Sequence, residues 1–262
     1  MSPAATWLFV SGNVSGRFAK AAAAGADAVV VDLEDAVRPE DKDAARAETR
    51  RWLTGGEAWV RLNAVGTPWF DADVEAVAGA TGLLGVLVPK AEDPAALAAV
   101  SARLGIAVVA LVETAAGLHR VHDVATAPGV TRLAFGSLDL AADLGADDTA
   151  EAMLFARSTI VLASRVAGLP APIDGVTTVV DDADAVTTAA RYARSLGFRG
   201  KLCIHPAQIA PTARGLAPGA DEIAWARAVL QAAEGSAGAV TGPDGRMIDK
   251  PVLDRARALL RP

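Results

Sequence analysis

The chain has 262 residues, 52% of them apolar, and carries 31 acidic against 25 basic side chains for a formal charge of −6. It is too long for a small domain held by staples, its one cysteine excludes a disulfide framework, and it lacks the basic stripe of a nucleic-acid binder. The first ten residues lack the charged and long apolar parts of a secretory leader, and no apolar run reaches the roughly 18 residues of a membrane span, so the expected setting is the cytoplasm, without a membrane partner.

Short apolar runs recur about every 25 residues along the chain. In order they are WLFVSG (7–12), AVVVDLED (28–35), AWVRLN (58–63), GVLVPK (85–90), AVVALVET (107–114), RLAFGS (132–137), APIDGVT (171–177) and KLCIHP (201–206). An unbroken apolar run reads as a parallel strand covered on both faces. Alanine-rich segments with helical spacing lie between the runs, at 17–26, 39–53, 93–104, 115–127 and 182–198. Asp93-Pro94 and Asp181-Asp182 mark helix starts, where a carboxylate meets the positive end of the helix dipole, and Gly25, Gly105 and Gly197 mark helix ends.

Eight such β/α units predict an α/β TIM barrel over residues 1–206 rather than an open doubly wound sheet. An open dinucleotide-binding sheet usually carries GxGxxG after its first strand, whereas this chain has SGNVSG. Residues 207–262 exceed what a barrel needs and are expected to form a C-terminal helical extension: a helix, the loop EGSAGAVTGPDGRMIDKP and a last helix.

The active face of such a barrel lies at the C-terminal ends of its strands. The runs end on Ser11, Asp32/Glu34/Asp35, Arg61/Asn63, Lys90, Glu113/Thr114, Ser137/Asp139, Asp174 and His205, so polar groups crowd one rim. Glu113 and Asp139 are 26 residues apart, one β/α unit, and should project side by side. Two converging carboxylates repel unless a cation lies between them, and hard oxygen ligands suit Mg²⁺. The competing structural role for each is to cap the following helix. Arg61 could clamp a carboxylate through both prongs of its guanidinium or pair with the acids of run two. Lys90 reads as rim charge balance or as a Schiff-base lysine, and His205 as a hydrogen-bonded strand end or a general base. His119 and His122 fit a helix surface, and Cys203 fits the core. No GxSxG, HExxH or P-loop is present.

Seven stretches occur together and in order: DAVVVDLEDAV, VRLN with GTPW, GVLVPKAE, ALVETAAG, LAFGSLDLAADLG, GFRGKLCIHPAQI and GRMIDKPVL. On these the chain resembles the citrate lyase β-subunit-like family, which includes malyl-CoA and citramalyl-CoA lyases, over nearly its whole length. The resemblance implies a TIM barrel that binds Mg²⁺, or Mn²⁺ in its place. It also implies cleavage or formation of a carbon–carbon bond beside a CoA thioester, giving a 2-oxo acid and an acetyl-CoA-type product. It implies Glu113 and Asp139 as metal ligands and Arg61 as the carboxylate-binding arginine. Glu34 and Asp35 become acids held near the metal through water, and Lys20 a contact to the CoA phosphates. Asp249 becomes the acid–base group of a lid, within 207–262, that completes a neighbouring subunit's active site. Such a lid implies a homotrimer or a multiple of one.

Two positions depart from the family pattern. The first turn usually reads P-G-D or P-G-N followed by a basic residue, where this chain has Ser11-Gly12-Asn13-Val14; Arg17, a turn further on, is the candidate replacement for the missing basic contact. Thr177 stands where an aromatic is usual. Alternative activities are a metal-dependent 2-oxo-acid aldolase without CoA, and a citrate lyase β subunit active only in a multi-subunit complex with an acyl carrier protein.

Overall fold

Eight parallel strands appear where the eight apolar runs lie: β1 (Thr6–Ser11), β2 (Ala28–Asp32), β3 (Ala58–Arg61), β4 (Leu83–Val88), β5 (Val108–Val112), β6 (Val130–Phe135), β7 (Ile173–Asp174) and β8 (Gly200–Cys203). Each pairs with the next, and β8 returns to β1, so the sheet closes into a barrel. The computed structural model describes residues 4–234, 240–241, 245 and 247–260. Part of the expected loop 234–251, namely 235–239, 242–244 and Arg246 just before MIDKP, lies outside the described residues.

Helices α1 (Phe18–Ala22), α2 (Lys42–Trp52), α3 (Phe70–Val77), α4 (Pro94–Leu104), α5 (Ala115–His119), α6 (Val121–Thr126), α7 (Ser137–Leu144), α8 (Leu154–Val166), α9 (Ala183–Leu196) and α10 (Ile209–Leu216) belong to the barrel unit. The predicted punctuation is used. Asp93 and Asp182 cap α4 and α9 by accepting hydrogen bonds from backbone N–H groups, and Gly105 and Gly197 end the same helices in the left-handed conformation. The single helix expected over 115–127 is instead two, broken where Arg120 leaves helical backbone angles. The seventh run yields only two strand residues, because Pro170 and Pro172 bring no N–H to a ladder.

Side chains alternate between two layers. Trp7, Ala28, Val30, Leu87, Val109, Leu111, Ala134, Ile173 and Leu202 fill the barrel interior. Leu8, Val31, Val60, Val86, Val88 and Leu133 face outward into the larger core beneath the helices. The floor is aromatic: the Trp7 and Trp59 rings lie 5.0 Å apart, and Arg132 sits over Trp7. Gly85 has no side chain because a Cβ there would strike the Trp59 ring. Arg132 donates to the carbonyls of Ala171 and Ala4, and burial without an anionic partner lowers its pKa to about 10.

The rim order contains one correction. Asp174 does not reach the mouth; it faces outward from β7 and is buried between Arg157 of α8 and Lys201 of β8. Cys203 is also buried in this outer layer, 3.5 Å from the Thr212 hydroxyl.

The second compact unit spans residues 217–262, so the division falls after Leu216 and α10 belongs with the barrel. It contains α11 (Ala220–Ala233), the antiparallel pair β9 (Val240–Thr241) and β10 (Met247–Ile248), and α12 (Lys250–Leu259). Ala226, Val229, Ile248 and Ala256 form its small core. Among the described residues, no helix is long and apolar enough to cross a membrane.

Candidate active site

Strand register sets the first part of the site. Ser11 is level with Asp32, and Asp32 with Arg61, so three polar side chains at the tops of β1, β2 and β3 share one tier. Asp32 grips Arg61 through both prongs, from Nε to Oδ1 at 2.7 Å and from Nη2 to Oδ2 at 2.6 Å. Paired N–H···O bonds of this kind fix a guanidinium plane as well as its charge. The ring of Phe9 lies beneath that plane, 4.9 Å from the Arg61 Cζ. Burial works against the Arg61 charge, but Asp32, Glu34 and Asp35 outweigh it and hold the group above its usual range.

The DLEDAV segment (32–37) therefore turns at the mouth. Asp32 Oδ1 and Oδ2 accept from the N–H groups of Glu34 and Ala36, which ends β2 three residues before the predicted limit. Lys42, at the start of α2, donates to the carbonyls of Leu33 and Glu34 and holds the turn from below. Asn63 ties the same turn to α3 through Leu33 O and the buried Asp73. The expected pairing of Arg61 with the acids of run two is present and falls chiefly on Asp32, whereas Lys42 as the clamp of the loop and Phe9 as the platform were not singled out in the sequence. Nothing in a period-two pattern marks a helix-opening lysine as buried.

Glu34 lies between two cations, with Lys90 Nζ 2.8 Å from Oε1 and Arg61 Nη1 2.9 Å from Oε2. The second contact lies off the N–H axis, so Oε2 is buried without a hydrogen bond. Desolvation raises the Glu34 pKa despite both cations. Asp35 is largely exposed, 3.6 Å from Arg61.

Glu113 follows β5 and is 2% exposed. Its Oε1 accepts the Lys90 N–H at 3.0 Å, and its Oε2 stands against Gly136, where a Cβ would lie 2.4 Å away. Burial, then the like charges of Glu34 and Asp139, push its carboxyl up to about 8. Asp139 lies in the first turn of α7 rather than on the strand. Neither acid caps a helix: Thr114 caps α5, and no side chain caps α7.

Glu113 and Asp139 line one cavity of about 760 Å³ that opens at the mouth. No described residue donates a hydrogen bond to Glu113 Oε2 or to the Asp139 carboxylate. Among the described residues, no group of three or more His, Cys, Asp or Glu side chains converges on a point. The free Oε2 of Glu113 and the Asp139 carboxylate offer hard oxygen donors and leave positions for water and substrate, which fits Mg²⁺ and not zinc. Arg17, Lys20, Asp35, Arg61 and His205 line the same cavity. Its two basic helix residues stand on the β1 side. The His205 Nδ1 accepts from the Ala207 N–H, capping a short turn. His119 and His122 are exposed on α5 and α6. Asp249 lies in the second unit, exposed, where its Oδ1 accepts from Val252 N and caps α12.

Residues 5–206 match the family described as HpcH/HpaI aldolase/citrate lyase. A citrate lyase subunit beta-like protein of Mycobacterium tuberculosis is 39% identical across 97% of this chain and 94% of its own length. A (3S)-malyl-CoA thioesterase of Cereibacter sphaeroides is 33% identical across 97% of this chain and 92% of its own. The crystal structure of the M. tuberculosis protein CitE in complex with magnesium, acetoacetate and coenzyme A superposes with a TM-score of 0.90 and 37% identity, covering 100% of this chain and 98% of that one. A closed eight-stranded barrel, an acid-rich mouth and these matches lead to one assignment: the chain belongs to the HpcH/HpaI aldolase/citrate lyase family.

Proposed function

We propose that the protein is a Mg²⁺-dependent carbon–carbon lyase that splits, or forms by Claisen chemistry, a β-hydroxyacyl-CoA thioester, giving a 2-oxo acid and an acetyl-CoA-type product. The observation that carries this reading is the meeting of Glu113, Asp139 and Arg61 at one cavity whose opposite wall bears Arg17 and Lys20. The acidic side suits a cation and an oxyanion; the basic side suits phosphates. The M. tuberculosis relative with bound magnesium, acetoacetate and coenzyme A supports the same pairing of ligands.

Glu113 and Asp139 would hold the ion, which when bound supplies Lewis-acid polarisation of a substrate oxygen. Arg61, held in one orientation by Asp32 and Phe9, would stabilise negative charge on the hydroxyl oxygen that becomes the carbonyl of the 2-oxo acid, with little reorganisation at the moment of reaction. Glu34 and Asp35 keep that arginine from swinging into solvent. As the carbon–carbon bond breaks, its electron pair would move to the thioester α-carbon to give an enolate, while the hydroxyl proton passes to solvent water at the open mouth and the hydroxyl oxygen becomes the carbonyl of the 2-oxo acid. Asp249, on a lid from a neighbouring subunit of a homotrimer, would deliver a proton to that carbon, and in condensation would remove it.

The thioesterase among the relatives favours a second outcome on the same scaffold, in which water cleaves the thioester after or instead of the carbon–carbon bond. One experiment tests both. Purified protein with MgCl₂ is offered a set of β-hydroxyacyl-CoA thioesters, and 2-oxo acid, acetyl-CoA and free CoA are measured. Release of 2-oxo acid identifies the lyase. Free CoA without 2-oxo acid identifies a hydrolase and rejects the lyase. No turnover without a carrier protein points to a subunit role. Asp249→Asn should abolish lyase turnover while leaving Mg²⁺ binding intact; near-normal turnover removes the lid acid from the mechanism.

A further inference from the structure

Lys90 is the one non-glycine residue with positive φ among the described residues, at +47°. A lysine in the left-handed region costs about 1–2 kcal/mol. It follows Pro89 at the end of β4, one strand from Arg61 and one from Glu113. This backbone turn does two things at once. It directs the Lys90 N–H to Glu113 Oε1 at 3.0 Å and folds the side chain back so that Nζ reaches Glu34 Oε1 at 2.8 Å. The ammonium is also 3.9 Å from Glu113 Oε1.

Stability alone does not account for this arrangement. The Lys90 side chain is 41% exposed, and a half-exposed ion pair contributes about 0–1 kcal/mol, less than the backbone conformation costs. Strain of this kind persists where a site needs the geometry. The need is visible in the charges: the carboxyl groups of Asp32, Glu34, Asp35, Glu113 and Asp139 outnumber the cations Arg61, Lys90 and Lys42 among them, and Lys42 is bound to the carbonyls of Leu33 and Glu34 on the Asp32 side. Arg61 is committed to Asp32 and Glu34, so Lys90 is the cation beside Glu113.

We propose that Lys90 is a positioning residue and the mouth's built-in counter-cation: it keeps Glu34 and Glu113 together in the metal-free protein and, by its charge, weakens the grip of Glu113 and Asp139 on a divalent ion. The proposal rests on the Mg²⁺ reading above and adds to it what sets the affinity. A cation fixed near the ligands makes binding weaker and release easier, while the N–H bond keeps Glu113 in place whether or not the ion is bound.

The test uses full-length protein stripped with a chelator and titrated with MgCl₂, followed by calorimetry and by thermal midpoint. Lys90→Met keeps the stem and removes the charge; Lys90→Gly removes the charge and the backbone strain; Lys90→Arg keeps the charge. Both charge-removing variants should bind Mg²⁺ about tenfold more tightly than wild type, as expected for losing a like charge a few ångströms from a divalent ion in a largely hydrated setting. Their midpoints should rise more on saturation than that of wild type, and Lys90→Arg should match wild type. If Lys90→Met and Lys90→Gly lower the midpoint but bind Mg²⁺ within twofold of wild type, Lys90 is merely structural and the proposal is wrong. If wild type itself neither binds Mg²⁺ nor is stabilised by it, the metal reading fails first and this proposal falls with it. Lys90→Gly covers the case in which the strained methionine variant does not fold.

Discussion

Two buried ionic clusters stand on the same barrel, one in its wall and one at its mouth. In the wall, one carboxylate, Asp174, receives two cations: Arg157 Nε at 2.9 Å and Lys201 Nζ at 3.0 Å, the latter also donating to Gly175 O. Burial would raise the Asp174 pKa, but Lys201 and Arg157 win and hold it below the ordinary carboxylate range. At the mouth the supply is reversed, with acids in excess, and Glu113 is pushed up to about 8 by burial and by Glu34 and Asp139. The wall cluster is complete in itself. The mouth cluster is balanced only when something positive arrives. Perturbed carboxylates that lack their counter-charge mark places where a protein expects a ligand.

That contrast can be broken at either end. The largest effect belongs to the mouth: Glu113→Gln and Asp139→Ala should each lower Mg²⁺-dependent turnover by about 10³-fold, the several kcal/mol of charge stabilisation a bound ion supplies. Full Mg²⁺ response in either variant would dismiss the shared site. Next comes the wall. Asp174→Asn leaves two buried cations without their anion and should cost about 3 kcal/mol of unfolding free energy, with Mg²⁺ affinity unchanged. A loss under about 1 kcal/mol by denaturant titration would show the wall cluster to be dispensable.

The same substitution gives a pH signature. Because the folded pKa of Asp174 is depressed, its contribution is full above the unfolded value of 3.8 and is lost as pH falls through the folded value. The stability gap between wild type and Asp174→Asn should therefore be constant near neutrality and close in acid below that point. A gap that widens in acid contradicts the assignment. A smaller effect sharpens the contrast: above about pH 8, where the Glu113 carboxyl is ionised, Glu113→Gln removes one charge from an over-supplied cluster and should raise the stability of the metal-free protein by about 1 kcal/mol while destroying activity. The smallest is Phe9→Leu, which removes the face beneath Arg61. The loss of about 0.5–1 kcal/mol should appear as a two- to fivefold rise in KM with the fold intact, and an unchanged KM would show the ring to be filler.

The barrel was legible because its strands are apolar on both faces and its helices carry their own punctuation at Asp93, Asp182, Gly105 and Gly197. The rim acids were legible from the spacing of one β/α unit between Glu113 and Asp139. What the spacing could not give was which face each terminal residue takes. Asp174 ends a run like the others yet points into the wall, because β7 is only two residues long and Ile173, not Asp174, faces inward. Nor could spacing choose, among the three acids of run two, Asp32 as the one that grips Arg61 through both prongs. That depends on register between neighbouring strands, which is set by barrel closure and not by either run alone. The choice for Asp139 between capping and facing the cavity was settled by where the helix starts: it begins at Ser137 with Gly136 at the N-cap, three residues before Asp139, so Asp139 falls within its first turn instead of before it.

The tilted indoles of Trp7 and Trp59, with Arg132 over the Trp7 ring, stop the tube at its lower end. The barrel is therefore a cul-de-sac. Whatever enters must leave by the same doorway, so departure follows depth: the fragment lodged nearer the opening goes first, and the one held against the inner tier waits behind it. For a reaction that makes two molecules from one, the tryptophan plug turns a question of affinity into a queue.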